Sequence, residues 1–375
     1  MKAKTALKHV ARGIIGGLLL ILIAAACIIF YIKFLKSDAP PAPKSTVPIA
    51  HKPVRLPVLK DGVIKLSVAH VVNPRLEKFS DAQIAMFLAA LKASAKAQLG
   101  RDIEFGAVEP YTLDEYFKEV PASRQLWRNK AIVDFKTGKV DRPKLEKAYA
   151  DTIARQTAPA KDWAEYAGRE IGLDRLDTDP NEWKKRLTDT HLARLAQVAA
   201  IKAADGKPVI DASPYNEWMF WNSVGERPRT HDLIITNQLV ASAEYSGVDI
   251  HSALRGGITA GTTDFATDAQ FGMQVWWSTF PFTSADPVIV RMRGGESYSP
   301  DEAARIAGAS AAHELGHLFF QYGHPFGDSS CLMSPTPMLR FKEYLARLDA
   351  GKCLAANHAA MKPGTVKVLK PHYAG

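Results

Sequence analysis

Residues 299–324 read SPDEAARIAGASAAHELGHLFFQYGH, and they carry the clearest structural signal in the chain. The first of them predict the start of a helix, because Ser299 can cap it, Pro300 suits the first helical position and Glu302 completes a capping box. The helical pattern then runs unbroken up to Gly323, which stands where a left-handed residue ends a helix. We therefore expect one long helix, followed by an abrupt change of chain direction.

This helix places two histidines on one face. His313 and His317 are four positions apart, so both rings can bind a single metal ion. Glu314 lies between them in an HExxH pattern, where it can accept a proton from a metal-bound water as the general base. The pattern predicts a zinc (Zn2+) site for hydrolysis. The alternative is two ordinary surface or core histidines.

Together with residues further along, the motif resembles that of the metzincin metalloproteases, HExxHxxGxxH followed by a methionine-containing turn. Cys331, Leu332 and Met333 resemble the Cys-x-Met of the archaemetzincin-like branch, which implies that Met333 lies in the Met-turn beneath the metal. The resemblance implies a mixed twisted sheet, an active-site helix and a C-terminal helix. It is confined to about residues 299–345.

The third metal ligand is less plainly marked, because the spacing departs from the family pattern. Gly323 comes three residues late, His324 comes one residue late, and Pro325 replaces the cysteine of the archaemetzincin-like branch. The resemblance implies that His324 is the third ligand, since a chain that reverses at Gly323 can return an imidazole to the metal. Asp328 in the returning loop and Glu343 on the next predicted helix remain alternatives. Glu343 would give the arrangement of the gluzincin peptidases.

The residues before the motif predict an α/β (α+β) fold. Residues 63–72 alternate as a strand does, residues 81–99 form a helical pattern, and a short strand follows at 103–108, so the opening is a β-α-β unit. Further strand patterns occur at residues 232–240, 256–263, 273–279 and 287–292. By the resemblance, a substrate peptide would bind along an edge strand, for which 256–263 and 273–279 are candidates.

Residues 112–225 read as a helical insertion into this sheet domain. Residues 144–155 and 181–204 are charged and helical in pattern. An apolar stripe on the second segment indicates core packing; it consists of Trp183, Leu187, Leu195 and Val198.

The N-terminal 58 residues predict a membrane anchor. Residues 1–12 form a basic tail, residues 13–36 contain an uncharged run of twenty residues, and residues 37–58 are rich in proline. Twenty helical residues span about 30 Å, the thickness of a bilayer core. More basic residues before the run than after it favour a cytoplasmic N-terminus, with residues 59–375 outside the cytoplasm, periplasmic or extracellular. A processed signal or lipoprotein sequence is the alternative.

The composition excludes a nucleic-acid partner and bears on the cysteines. The formal net charge is +9, and most of it comes from six lysines and arginines before residue 37, so no basic patch marks the folded part. Cys27 lies in the predicted anchor, which leaves Cys331 and Cys353 as a possible disulfide in an oxidising compartment.

These observations predict a membrane-anchored, extracytoplasmic zinc endopeptidase that hydrolyses protein or peptide substrates. Two other functions stay open. One is a gluzincin-type peptidase that uses Glu343 as its third ligand, and the other is a catalytically inactive, zinc-stabilised module that binds peptides.

Overall fold

The computed structural model describes residues 62–118, 133–134, 139–155, 160–173, 180–209, 231–241, 250–265, 273–320, 324, 329–336 and 338–349. The predicted basic tail (1–12), membrane anchor (13–36) and proline-rich linker (37–58) lie outside these residues. No helix within the described ranges combines the length and the apolar character needed to cross a membrane.

Helices and short strands alternate along the chain. The helices are α1 (Asp81–Leu99), α2 (Leu113–Lys118), α3 (Arg142–Arg155), α4 (Ala160–Ile171), α5 (Pro180–Ala199), α6 (Ile250–Leu254), α7 (Phe280–Thr283), α8 (Pro287–Met292), α9 (Pro300–Phe320) and α10 (Phe341–Ala346). The strands are β1 (Ile64–Val72), β2 (Ile103–Thr112), β3 (Val133–Asp134), β4 (Lys139–Val140), β5 (Leu233–Thr236), β6 (Val240–Ala241), β7 (Ile258–Thr259), β8 (Gly261–Phe265) and β9 (Met273–Ser278).

Five of the strands form one mixed sheet in the order β2-β1-β5-β9-β8. The first four are mutually parallel, and β8 runs antiparallel to β9. The β1-α1-β2 unit is the β-α-β opening that the sequence predicts, and its N-terminal capping box at Ser80 and Gln83 fixes where α1 begins. The predicted mixed α/β architecture is confirmed.

Both faces of the sheet are buried, and β1 shows how the sequence produces this. Leu66 and Val68 point into the main core, whereas Ala69 and Val71 point into a second cluster with Trp276. Such alternation is expected of a strand, whose successive side chains project to opposite faces. Helix α2 contributes to the second cluster, while α1 and α9 contribute to the main core.

Helix α9 lies unusually close to α1. A Cβ atom added to Gly308 would come within 2.1 Å of the carbonyl oxygen of Phe87, so only glycine permits this approach. Close contact between the two helices anchors α9 against the sheet. The histidine-bearing end of α9 is thereby held at a fixed place in the fold.

The two helical segments predicted at residues 144–155 and 181–204 are present as α3 and α5, and α4, which was not predicted, lies between them. All four residues of the predicted apolar stripe on α5 are buried in the main core. The helical region therefore shares one continuous hydrophobic core with the sheet. The predicted start of the insertion, residue 112, is the last residue of β2 and is followed by α2, whereas the predicted end at residue 225 lies outside the described ranges.

The prediction of a strand at residues 287–292 is wrong. This segment, PVIVRM, forms α8: the Asp286 side chain accepts a hydrogen bond from the Val288 amide, and Pro287 occupies the first turn. Gly294 and Gly295, with φ of 82° and 91°, follow the helix in a left-handed conformation. The cap and the glycines outweigh the strand preference of the β-branched residues.

The other boundary predictions are partly correct. The predicted strand at 256–263 is two short strands, β7 and β8, and only β8 joins the main sheet. The predicted C-terminal helix that carries Glu343 is present as α10.

Candidate metal centre

The N-terminus of α9 begins as its sequence predicts. The Ser299 hydroxyl oxygen accepts a hydrogen bond from the Glu302 amide at 3.2 Å, and Pro300 is the first helical residue. From this start, the 3.6-residue repeat brings His313 and His317 to one face, with ring centroids 4.8 Å apart.

His324 joins these two residues. The His313 and His317 Nε2 atoms are 3.1 Å apart, and the His324 Nε2 atom lies 3.1 Å from the former and 3.2 Å from the latter. Three nitrogens bound to one tetrahedral zinc at its usual bond lengths are separated by about 3.3 Å. The spacing of this triangle thus fits a single ion, and the three residues could hold a metal ion.

The orientation of His313 supports the same conclusion. Its Nδ1 atom lies 2.8 Å from the Leu332 carbonyl oxygen, which can only accept, so Nδ1 carries the proton. Nε2 is then left with a lone pair facing the other two imidazoles. A backbone carbonyl on the far nitrogen is the arrangement that orients histidine ligands in metal sites.

Burial keeps His313 and His324 neutral, as metal ligands must be. Burial, followed by the nearby His317, lowers the pKa of His313 to about 3. Burial also lowers the pKa of His324 well below its ordinary value, with the neighbouring histidines acting in the same direction. Metal ligation requires the unprotonated imidazole.

Glu314 is held beside the histidines by strand β8. The Thr263 hydroxyl lies 2.7 Å from the Glu314 Oε2 atom and can donate a hydrogen bond to it. Gly261 makes the close approach of strand and helix possible, because a Cβ there would come within 2.6 Å of the Glu314 Cγ atom and 2.5 Å of the Trp277 ring. Glu314 is 6% exposed, so it is shielded from bulk water, and it directly follows His313 in the sequence.

Met333 packs against α9 at Gly316, within the HELGH motif. A Cβ on Gly316 would come within 2.2 Å of the Met333 sulfur, so the glycine of HELGH provides the space for this side chain. Met333 is fully buried. Met333 therefore packs directly against the helix that carries His313 and His317, and its role as a Met-turn residue stays a prediction.

Two further interactions hold the chain next to Met333 in place. Tyr344 of α10 donates a hydrogen bond to the Leu332 carbonyl oxygen, the same atom that accepts from His313. Cys331 is disulfide-bonded. Its predicted partner, Cys353, lies outside the described residues, so the pairing stays a prediction.

Of the alternative third ligands, Glu343 lies apart from the histidines. Glu343 is on the surface of α10 with a side chain that is 51% exposed, and its carboxylate faces Arg347 at 3.4 Å and Arg340 at 3.9 Å. It takes no part in the histidine cluster. Asp328 and the predicted helix stop Gly323 lie outside the described residues.

Three residues near the centre were not singled out in the sequence. His251 on α6 has its ring centroid 4.8 Å from that of His324. Arg255 directly follows α6 and donates a hydrogen bond to the Thr336 carbonyl oxygen, as Tyr166 of α4 does at 3.1 Å. No local motif marks them, because they belong to segments brought to the site only by the folding of the chain.

No family model, curated protein or solved structure matches this chain.

Proposed function

We propose that this chain is a zinc-dependent endopeptidase whose reaction centre is formed by α9 and strand β8. The observation that carries this proposal is the pairing of a three-histidine cluster with a buried carboxylate, Glu314, held next to it by Thr263. The motif's resemblance to the metzincin peptidases supports the same reaction class. The predicted anchor in residues 13–36 would place the enzyme at a membrane, with its catalytic part outside the cytoplasm.

His313, His317 and His324 would hold the ion. Three imidazoles suit zinc among several first-row metals, and three protein ligands leave a fourth position open for catalysis. When bound, zinc supplies Lewis acidity towards a peptide carbonyl and towards water. The Leu332 carbonyl keeps His313 in the tautomer that this requires.

Glu314 would act as the general base. It is adjacent to the ligands but is not one of them, so it remains available to take the proton from the attacking water and pass it to the leaving amine. The hydrogen bond from Thr263 directs the carboxylate and limits its rotation. A positioned base of this kind typically contributes about a hundredfold or more to the rate.

Strand β8 would bind the substrate as an added strand. It is one of the two edge strands of the sheet, and it contacts Glu314 directly through Thr263, which the other edge strand, β2, does not. A peptide paired with β8 through backbone hydrogen bonds would pass in front of the histidine cluster. This mode of binding favours extended protein or peptide segments as substrates.

The test is zinc content and hydrolysis of casein by the full-length chain, purified in detergent. Glu314→Gln should retain one zinc per chain and lose hydrolysis by at least about a hundredfold. Glu343→Gln, an exposed glutamate on α10, is the matched control and should keep both. A wild-type chain that binds zinc but cleaves no peptide would instead support the peptide-binding module. Equal hydrolysis by Glu314→Gln would refute the mechanism.

A further inference from the structure

Arg255 is a buried cation behind the histidine cluster. It is 6% exposed. Its guanidinium donates one hydrogen bond to the Thr336 carbonyl oxygen and is also hydrogen-bonded to the Tyr166 side chain. Its Nε atom is buried without a hydrogen-bond partner among the described residues. Buried charges in proteins are normally paired with an opposite charge, so this arrangement calls for a physical explanation.

The charge of Arg255 acts on the proposed reaction centre. Burial is the largest cause of the lowered pKa of His251, His313 and His324, and the positive charge of Arg255 acts in the same direction, while the carboxylate charge of Glu314 raises the pKa of Arg255. Burial is the largest influence on Arg255 itself and lowers its pKa. A guanidinium nevertheless stays charged in proteins.

His251 belongs to the same short chain segment as Arg255. It precedes Arg255 by four residues, and its ring packs edge-on against His324. The His251 Nδ1 atom is also buried without a hydrogen-bond partner among the described residues. His251 thus carries an unsatisfied nitrogen atom on a ring that contacts His324, and Arg255 carries a second one four residues further along the same segment.

The charges that the described residues bring to this centre would not balance those of a bound divalent ion. The ion and Arg255 are both positive, and among the described residues Glu314 is the carboxylate that acts on Arg255. Glu314 would also serve the attacking water. A buried site with excess positive charge favours a ligand that brings a negative group of its own.

A second buried arginine shows what is specific to Arg255. Arg293 is 3% exposed, and its Nε also has no partner among the described residues. It donates to the Phe282 and Ser284 carbonyl oxygens; burial lowers its pKa, and the nearby Tyr298 and Glu296 oppose that effect. Arg293 is therefore a matched structural arginine that does not act on the histidines.

We propose that Arg255, assisted by His251, forms a subsite for a carboxylate of the substrate beside the metal centre. The inference rests on the proposed peptidase function and narrows its substrate class to peptides with a carboxylate close to the scissile bond. The carboxylate has two sources, the C-terminus of a peptide or an aspartate or glutamate side chain. The first source would make the enzyme act near C-termini, and the second would make it cleave beside acidic residues.

The experiment compares matched peptides with the zinc-loaded full-length chain. N-acetylated hexapeptides of randomised sequence are prepared as free acids and as C-terminal amides, and a third set carries amides with glutamate replaced by glutamine. Cleavage rates and cut positions are measured by mass spectrometry. If Arg255 binds the C-terminus, the free acids should be cleaved at least about tenfold faster than the amides. If it binds an acidic side chain, the amides that contain glutamate should be cleaved faster than those that contain glutamine by the same factor.

The variants separate recognition from structural damage. Arg255→Met should reduce the preference for the carboxylate to about one, Arg255→Lys should retain part of it, and Arg293→Met should leave it unchanged. A purely structural Arg255 would lower both rates together and preserve their ratio. Equal wild-type rates in both comparisons, or a ratio unaltered in Arg255→Met, would overturn the inference.

A binding measurement distinguishes failure of the carboxylate subsite from failure of the proposed peptidase function. If no peptide is cleaved, equilibrium binding of the same acid and amide peptides to the zinc-loaded chain is measured instead. A preference for the carboxylate peptides that is lost in Arg255→Met would support the subsite in a binding protein. Equal binding would refute it.

Discussion

At the scale of single residues, His324 decides what the site can do. It follows His317 by seven residues and nevertheless brings its Nε2 atom to 3.2 Å from that of His317. With His313 and His317 alone, an ion would have two protein ligands, fewer than the three that catalytic zinc sites employ. The late position of this histidine, compared with the metzincin spacing, does not prevent the triangle from closing.

We expect His324→Ala to lose most of its zinc, because one of three ligands is removed. Glu343→Ala should keep its zinc, since that carboxylate lies on the surface and pairs with arginines. Metal per chain, measured by inductively coupled plasma mass spectrometry after dialysis against a weak chelator, checks both. If Glu343→Ala lost zinc and His324→Ala retained it, the assignment of the third ligand would be wrong.

At the scale of elements, the contact between β8 and α9 positions the general base. Gly261 has no room for a side chain, since its Cβ would meet both the Trp277 ring and the Glu314 Cγ atom. Gly316 has a similar role on the other side of α9, where Met333 fills the space. Two glycines therefore let a strand and a turn approach the same helix from different sides.

We expect Gly261→Ala to reduce peptide hydrolysis by at least about tenfold, with zinc retained. The added methyl group must displace Trp277 or Glu314, and overpacking of this kind costs about 1–3 kcal/mol. Activity on casein and zinc content are measured together with the melting temperature.

Gly106→Ala on β2 is the control for this change. Its Cβ would meet only the Leu66 carbonyl oxygen, at an ordinary 3.7 Å, so activity should stay near that of the wild type. Full activity in Gly261→Ala would show that close packing of β8 against α9 is not needed to position Glu314.

At the scale of the whole molecule, the helical region and the sheet act as one folded unit. Glu170 of α4 pairs with Arg194 of α5 and with Arg340 before α10, and Arg194 also donates to the Leu254 carbonyl oxygen at the end of α6. This network connects the helices to the segment that follows Met333. Ordering of the metal centre therefore depends on residues far from it in sequence.

Buried histidines away from the metal centre predict how stability varies with pH. Burial lowers the pKa of His191 to about 4, and its ring lies against the Tyr149 hydroxyl. Above the ordinary value of 6.5, the imidazole is neutral in both the folded and the unfolded chain. As the pH falls towards about 4, only the unfolded chain binds the proton, so the free energy of unfolding decreases by at most about 3 kcal/mol.

We therefore expect His191→Gln to be less sensitive to acid than the wild type between about pH 6.5 and pH 4. Urea denaturation of the metal-free proteins at several pH values measures this, and the comparison uses the slope rather than the absolute stability. His70→Gln should behave in the same way, because burial also lowers the pKa of His70 to about 4. Identical pH slopes in wild type and variants would contradict the assignment.

Local patterns were sufficient for several features of this protein. The capped helix from Pro300, the i and i+4 placement of His313 and His317, and the β-α-β opening all follow from short-range periodicity and capping. These features depend on interactions within a few residues, so they are legible in one stretch of chain. The exception is residues 287–292, where β-branched residues suggested a strand although Asp286 and Pro287 begin a helix.

Only the tertiary structure decided which residues meet at the metal centre. His324 could be weighed against Glu343 in the sequence, but the choice depends on the path of the chain after α9. His251 and Arg255 reach the site because the fold brings the end of α6 next to His324 and Thr336. Such contacts join residues far apart in sequence, and their geometry is set by the packing of the whole core rather than by any local preference.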